Sequence, residues 1–273
     1  MAGTLVLCST PIGNLGDVSD RLRQALASAD VVFAEDTRRA GTLLRALGVA
    51  TPVRSYFAGN ERQREDELTR RLAEGATVAL ITDAGTPVVS DPGAHAVTVA
   101  QEVGAVVSII PGPSAVTGAV AVSGFTGDRF VFEGFLPKKA KDRTARLAEL
   151  APEQRTIVMF SAPHRLVEDL EDLAAVLGPA RRLCVVRELT KLHEEIVWMS
   201  LARAIEEWTE RAPRGEFTLV LAGAAPPDPD QDAGVELARR LVAEGLSASA
   251  AARQAAAETG AGRRAIYEAL LEQ

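Results

Sequence analysis

Along the first half of the chain, short apolar runs alternate with longer stretches in which apolar residues recur every three or four positions. The runs LVLCS (Leu5 to Ser9), VVFA (Val31 to Ala34), TVALI (Thr77 to Ile81) and VVSII (Val106 to Ile110) predict strands. VSDRLRQALAS, RAGTLLRAL, ERQREDELTRRLAEG and the segment after DPG predict helices between them. Strands that alternate with helices imply parallel βαβ units. VALI and VSII carry no charge, as expected of parallel strands covered on both faces.

The pattern changes near GFTGDR (Gly124 to Arg129). FVFEGF and TIVMF flank a basic helical segment, then LCVVREL, EEIVWMS and FTLVLAG follow with fewer helices between them. This predicts a second α/β domain with a mixed sheet. AAPPDPDQDAG (Ala224 to Gly234) is rich in Pro and Asp, lacks apolar periodicity and reads as a linker. From Val235 onward the chain reads as helical. Ala-rich SASAAARQAAAE predicts one helix, with Ser247 or Ser249 as its cap and Gly260 or Gly262 in the turn that ends it. RRAIYEALLEQ predicts another, with Ile266, Leu270 and Leu271 on one face. Two helices joined by a short Gly-containing turn make a helix-turn-helix-like unit. The fold class is α/β: an N-terminal parallel-sheet domain over 1–124, a C-terminal mixed-sheet domain over 125–223, a linker over 224–234 and a small all-helical tail over 235–273.

Composition narrows the partners. A chain of 273 residues has room for two domains, each with its own core. Its 47% hydrophobic and 25% charged content is that of an ordinary globular protein. A net charge of -7 argues against a protein that coats nucleic acid non-specifically, though a local basic patch is compatible with it. Cys8 and Cys184 lie in apolar runs and read as buried thiols of a reducing compartment. MAGTLVLCSTPIGN lacks the basic start and long apolar core of a signal peptide, so a cytoplasmic protein is expected. The uncharged span from Gly104 to Phe125 is long enough to cross a bilayer. Pro111 and Pro113 near its middle predict instead a strand, a turn and a small-residue helix, with no membrane partner. Trp198 and Trp208 are expected in the core.

The candidate chemistry sits in loops. P-loop, G-x-G-x-x-G and G-x-S-x-G patterns are absent. His95, His164 and His193 lack the spacing of metal ligands, and no metal is expected. What the chain has instead are loops after its strands: STPIGNLGD, EDTRR, TDAGTPVVSDPG and PGPSA. In open α/β sheets ligands bind beyond the carboxyl ends of the strands, so these loops are predicted to meet at one crevice.

TPIGNLGD, AEDTRR, TDAGTPVVSDPG, PGPSA, FEGFLPK, APHR and RELTK occur in that order. With them the chain resembles, over essentially its whole length, the family of ribosomal small-subunit methyltransferases that 2′-O-methylate a cytidine of 16S rRNA, within the tetrapyrrole methylase superfamily. The resemblance implies S-adenosylmethionine as methyl donor, two α/β domains with the donor in the cleft between them, and a homodimer. It implies donor contacts at Pro11, Ile12, Asp83, Gly85, Thr86, Val88, Gly112, Ser114, Ala115 and Phe160. Gly85 would let the backbone approach the ligand, Asp83 would accept hydrogen bonds, and Ser114 and Ala115 would offer a helix start to a carboxylate. Glu35, Asp36, Arg38 and Lys191 are the candidates for the chemistry: a carboxylate to take the hydroxyl proton and a cation to favour the developing alkoxide. An ion pair between Asp36 and Arg38 is the structural alternative.

An RNA substrate needs positive surface. PKKAKDRTAR (Pro137 to Arg146) is the densest basic run, and Lys138, Lys139 and Lys141 in it are candidate RNA contacts, as are Asn14, Arg39, Arg165, Arg263 and Arg264. Corrin-building relatives carry G-x-G-P-G-D after the first strand where this chain has TPIGNLGD, which favours the RNA enzyme. FAGNE (Phe57 to Glu61) and SAPHR (Ser161 to Arg165) depart from the HDHNE-like and ESPHR-like stretches expected of the family. A small-molecule methylase of the same fold, or a non-catalytic nucleic-acid-binding protein, are the alternatives.

Overall fold

The computed structural model describes residues 2–225 and 230–271. They form two compact units that divide between Gly223 and Ala224. Residues 226–229 of the expected linker lie outside the described residues.

The first unit opens with β1 (Thr4–Cys8), α1 (Asp20–Ser28), β2 (Val31–Ala34), α2 (Thr37–Ala46), β3 (Val53–Ser55), α3 (Glu61–Ala73), β4 (Thr77–Ile81), α4 (Ala94–Glu102) and β5 (Val106–Ile110). The strands form one parallel sheet in the order β3-β2-β4-β1-β5. Alternate side chains feed two cores, because successive residues of a strand point to opposite faces. Val31 and Phe33 pack with Leu68 and Leu72 of α3, while Val32 and Ala34 pack with Leu22 and Leu26 of α1. β2 is buried throughout and β4 nearly so, as their uninterrupted apolar sequence predicts.

β5 departs from that expectation. It is an edge strand, and Val106 and Ile109 are 56% and 46% exposed. Hydrophobicity alone does not distinguish a central parallel strand from an edge left open. The three-residue β3 was not anticipated, for its polar VRS sequence carries no strand period.

α5 (Ala115–Ser123) follows the Pro111–Pro113 turn, so the uncharged span is a strand and a short helix as expected. Among the described residues no helix is long and apolar enough to cross a membrane. Then come β6 (Phe130–Phe135), α6 (Ala140–Leu150), β7 (Thr156–Ser161), α7 (Leu166–Leu177), β8 (Arg182–Arg187), β9 (Glu195–Ser200), α8 (Leu201–Glu210) and β10 (Phe217–Leu221). The second sheet runs β6-β7-β10-β8-β9, with β6 parallel to β7 and the other pairs antiparallel. The mixed sheet is as predicted, and α7 and α8 supply more helix than the sequence pattern suggested. Leu147 of α6, Leu170 and Leu173 of α7, and Leu201 and Trp208 of α8 cover one face. Val116, Ala119 and Val120 of α5 cover the other. Trp208 is core, but Trp198 is not: it is 57% exposed on the edge strand β9, its indole N–H donating to the Ser123 carbonyl at 2.7 Å.

Among the described residues the second unit has three helices, α9 (Gln231–Ala243), α10 (Ala248–Thr259) and α11 (Arg263–Leu271). α9 begins inside the stretch read as linker, with Asp230 capping it by accepting from Ala233 N–H. A Cβ on Gly234 would stand 2.8 Å from that of Ala261, so glycine is what lets α9 reach the α10–α11 turn. Ser247 caps α10, and Gly260, at φ +71°, ends it. Ile266 is buried, whereas Leu271, expected on the same face, is 62% exposed.

Trp208 anchors the second sheet's core, edge-on to Phe217 with centroids 5.0 Å apart. Trp208→Ala is expected to lower stability by about 3–5 kcal/mol, read as a drop in the urea midpoint; a loss below about 1 kcal/mol would mean that the helical layer does not depend on it.

Candidate active site

Beyond the carboxyl ends of β1, β4 and β5 the loops are tied together by backbone. Thr10 N–H donates to the Gly85 carbonyl at 2.8 Å and Gly85 N–H returns a bond to the Thr10 carbonyl at 3.2 Å, an isolated antiparallel bridge. Gly85 sits at φ +77°, a conformation that favours glycine. The Ser9 and Thr86 hydroxyls meet at 3.0 Å. Gly112 lies so close to Ser9 that a Cβ there would stand 3.0 Å from the serine Cβ.

The loops form one wall of a cleft of about 420 Å³, within the range of small-molecule sites. Ile12, Glu35, Asp83, Gly85, Thr86 and Ser114 belong to that wall, one or more from each of the four predicted loops. The facing wall comes from the second sheet. A register shift between Phe132 and Phe135, with Gly134 at φ +63°, turns the end of β6 inward. It brings Phe135 to 5.5 Å from Phe160, and both rings line the cleft with Pro163, Leu189 and Thr218.

The cleft is acidic. Glu35 and Asp91 line it with Asp83. Burial, reinforced by the Asp83 carboxylate, holds Glu35 above the usual carboxylate range. Burial and then Glu35 push Asp91 up to about 6. Asp83 is braced by the Asp36 N–H at 3.1 Å and by Arg39 at 3.2 Å. Asp36 lies outside this wall, in a groove shared by Arg38, Arg39 and Asp83. It caps α2 by accepting from the Arg38 N–H at 2.8 Å, and its other oxygen meets the Arg38 guanidinium at 2.7 Å. These bonds hold its carboxyl well below the ordinary range. The structural ion pair between Asp36 and Arg38 is therefore present, and it disfavours Asp36 as a base.

The family model for tetrapyrrole (corrin/porphyrin) methylases matches residues 4–205, and the model described as the RsmI C-terminal HTH domain matches residues 228–273. The ribosomal RNA small subunit methyltransferase I of Synechocystis sp. is 46% identical over 274 residues, spanning 99% of this chain and 98% of its own. The chain belongs to the ribosomal RNA small subunit methyltransferase I family of tetrapyrrole methylases. The Thermotoga maritima relative of that name is 43% identical over 221 residues, 81% of this chain but 99% of its own. Among solved structures, the methyltransferase CobJ aligns with a TM-score of 0.62 at 21% identity, over 82% of this chain and 95% of its own. A Thermus thermophilus uroporphyrin-III C-methyltransferase, solved with S-adenosyl homocysteine, aligns at 0.58 and 19%, over 81% and 97%. At that identity the likeness is one of fold.

Seven of the ten residues that the family pattern suggests for the donor line the cleft: Ile12, Asp83, Gly85, Thr86, Ser114, Ala115 and Phe160. Pro11, Val88 and Gly112 are outside its lining; Gly112 packs on Ser9, and Val88 is 40% exposed at φ +78°. Glu35 reaches the cleft and Lys191 does not. The Lys191 ammonium is held at 2.9 Å by both Glu188 and Glu216, and its stem lies against Gly13. Asn14 caps a 3-10 turn at Leu15–Asp17. Of the basic run, Lys138, Lys139 and Lys141 are exposed, while Arg143 is buried against Asp169 at 2.9 Å. Arg165 is turned inward, 3.7 Å from Glu168 and 4.0 Å from Asp169, so its charge is internally matched. Arg263 and Arg264 are exposed, the first donating to the Ser249 hydroxyl and the second paired with Glu268. Sequence reasoning missed Asp91 and Phe135, although both lie in stretches it quoted, because no local rule says which residue of a loop or strand end will face the cleft.

Gly13 adopts φ +137°, and a Cβ there would come within 2.4–2.9 Å of the Lys191 stem. Gly13→Ala must strain its backbone and displace Lys191 from its two glutamates. It is expected to destabilise the first unit by about 1–3 kcal/mol, measured by thermal melting; an unchanged melting temperature would mean that the packing of Lys191 on Gly13 is dispensable.

Proposed function

We propose that this chain transfers the methyl group of S-adenosylmethionine to the 2′-hydroxyl of a cytidine ribose in 16S rRNA of the small ribosomal subunit. Ribosomal RNA methylation is the activity its family is named for; the cytidine, the 2′ position and the donor's seat in this cleft are our reading. The observation that carries it is the cleft itself, where loops from four parallel strands face an aromatic wall from the second sheet. The sulfonium of the donor is already activated, so the protein's main task is to align oxygen, methyl and sulfur. Ile12, Phe135 and Phe160 offer apolar surface to the adenosine. Asp83 offers an acceptor to its ribose or amino groups. The first N–H groups of α5 suit the donor carboxylate, since Ser114 at the cap does not accept from them.

RNA would approach over the open groove beside the cleft, where the Arg38 and Arg39 side chains are 89% and 66% exposed. Lys138, Lys139 and Lys141 extend the positive surface on the second sheet's side. Their place at the start of α6 opposes the helix dipole, which a phosphate would relieve. Asn14 sits on the loop beside that groove. A cytoplasmic homodimer is part of this reading. The exposed apolar edge strand β5 supports it, because unpaired strand edges invite pairing. The length of the Thermotoga maritima relative, matched by 221 residues, supports placing methyl transfer in the first unit, and the match of residues 228–273 to an HTH domain model supports a part for the tail in substrate binding. A tetrapyrrole methylase activity is less well supported, because TPIGNLGD replaces the loop expected of the corrin enzymes.

The decisive experiment is transfer of labelled methyl from S-adenosylmethionine to purified small subunits, set beside a porphyrinogen acceptor, with donor binding measured by calorimetry. Label on a cytidine ribose is the expected result; label on the porphyrinogen alone, or no donor binding at about millimolar concentration, would end this reading.

The tail yields a second expectation. Arg263→Ala with Arg264→Ala should weaken binding to the subunit while leaving donor affinity unchanged. The slope of log affinity against log salt should become shallower by about one for each phosphate that the variant no longer neutralises. Wild-type affinity at both low and physiological salt would make the tail structural.

A further inference from the structure

The loop that joins β4 to α4 is held in an unusual shape. Val88 and Ser90 lie at φ +78° and +63°, conformations that a β-branched or ordinary side chain rarely adopts. Val88 N–H donates to the Pro92 carbonyl at 3.2 Å and Val89 N–H to the Thr86 carbonyl at 3.3 Å. Its far end is fixed by Glu61 of α3, which accepts from the Gly93 N–H at 2.9 Å. Strain of this kind persists only where the surroundings over-determine it, and it gathers at functional sites. Asp91, between these strained positions and the Gly93 tie, lines the cleft, as does Asp83 at the start of the same loop.

The other charged groups that line the cleft are Glu35, Arg39, Asp83 and Glu216. Among the described residues the cations at that cluster are paired with particular members of it: Arg39 with Asp83 at 3.2 Å, and Lys191 with Glu216, as well as with Glu188, at 2.9 Å. Asp36 is committed to Arg38. Glu35 feels Arg39 and accepts from the Asp83 N–H, whereas Asp91 faces the carboxylates of Glu35 and Asp83, and among the described residues no cation acts on it. It is half-buried, so water screens those carboxylates only in part.

We propose that Asp91 is the catalytic residue that accepts the proton of the substrate hydroxyl, a role that rests on the methyl transfer proposed above. In that step the ribose oxygen bonds to the methyl carbon as the carbon–sulfur bond breaks. Sulfur keeps the electron pair of that bond and becomes a neutral thioether. The hydroxyl proton passes to the Asp91 carboxylate and from there to solvent. A base must be unprotonated to act, so the rate is sustained above the Asp91 midpoint of about 6 and falls below it.

The test uses the full chain with small subunits and S-adenosylmethionine, comparing wild type, Asp91→Asn and Asp91→Glu. Asp91→Asn, close to isosteric, is expected to slow single-turnover transfer by about 100-fold or more. Its donor affinity should stay within about twofold, its melting temperature should be unchanged, and the acid limb of the wild-type pH profile should vanish. Asp91→Glu should recover part of the rate. Transfer by Asp91→Asn within about threefold of wild type would overturn the assignment. So would loss of donor binding in proportion to the loss of rate, or a wild-type profile flat across pH 6. Failure of the wild type itself to transfer methyl would end the proposed function and this inference together; wild-type transfer matched by Asp91→Asn would end this inference alone.

Discussion

The cleft depends on one short piece of backbone pairing. Thr10 and Gly85 exchange hydrogen bonds beyond the ends of β1 and β4, where the parallel ladder has already stopped. Parallel neighbours diverge into separate connections, and nothing in the ladder itself keeps their loops together. The bridge does so, with glycine supplying the left-handed φ that an antiparallel contact between two parallel strands requires. The Ser9–Thr86 hydroxyl contact and the approach of Gly112 to Ser9 extend the same seam to β5. Ile12, Asp83, Thr86 and Ser114 therefore line one wall although more than a hundred residues of chain separate the first from the last.

The second constraint is charge. Carboxylates cluster around the cleft, and the nearby cations are distributed so as to leave their environments unequal. Arg38 neutralises Asp36 and Arg39 braces Asp83, while Asp91 receives no cation among the described residues and is pushed up. Two groups of one chemical type thus stand at opposite ends of their range a few residues from the same cleft. Environments that push titratable neighbours apart are how a fold separates a structural carboxylate from a chemically useful one.

The second sheet completes the site by a local irregularity. The register shift in β6 interrupts its pairing with β7 and turns Phe135 toward Phe160. Lys191, from the β8–β9 connection, packs its stem on Gly13 of the β1 loop and so joins the two walls from outside. In the basic run the lysines stay in solvent while Arg143 is drawn into a buried pair with Asp169. The Asp169 carboxylate also accepts from the hydroxyl of Ser161, a cleft residue. The same run of sequence thus offers outward charge and an inward tie to the site.

Strand-and-helix alternation, the four loops at strand ends and the helical tail were legible because they arise from local rules. Period-2 and period-3.6 patterns, Pro–Gly turns and caps such as Ser247 act within a few residues of chain. The motifs of the family were legible for the same reason, being short and contiguous. Which apolar strand would be an edge, which tryptophan would be exposed and which arginine would be turned inward were not. β5 reads like β4, Trp198 like Trp208 and Arg165 like Arg39, yet neighbours in space leave β5, Trp198 and Arg39 exposed and cover the other of each pair. Asp91 shows the limit most clearly. Its residue type and loop were visible in the chain, but its basicity depends on burial and on the Glu35 and Asp83 carboxylates brought beside it, and only the tertiary structure decides that.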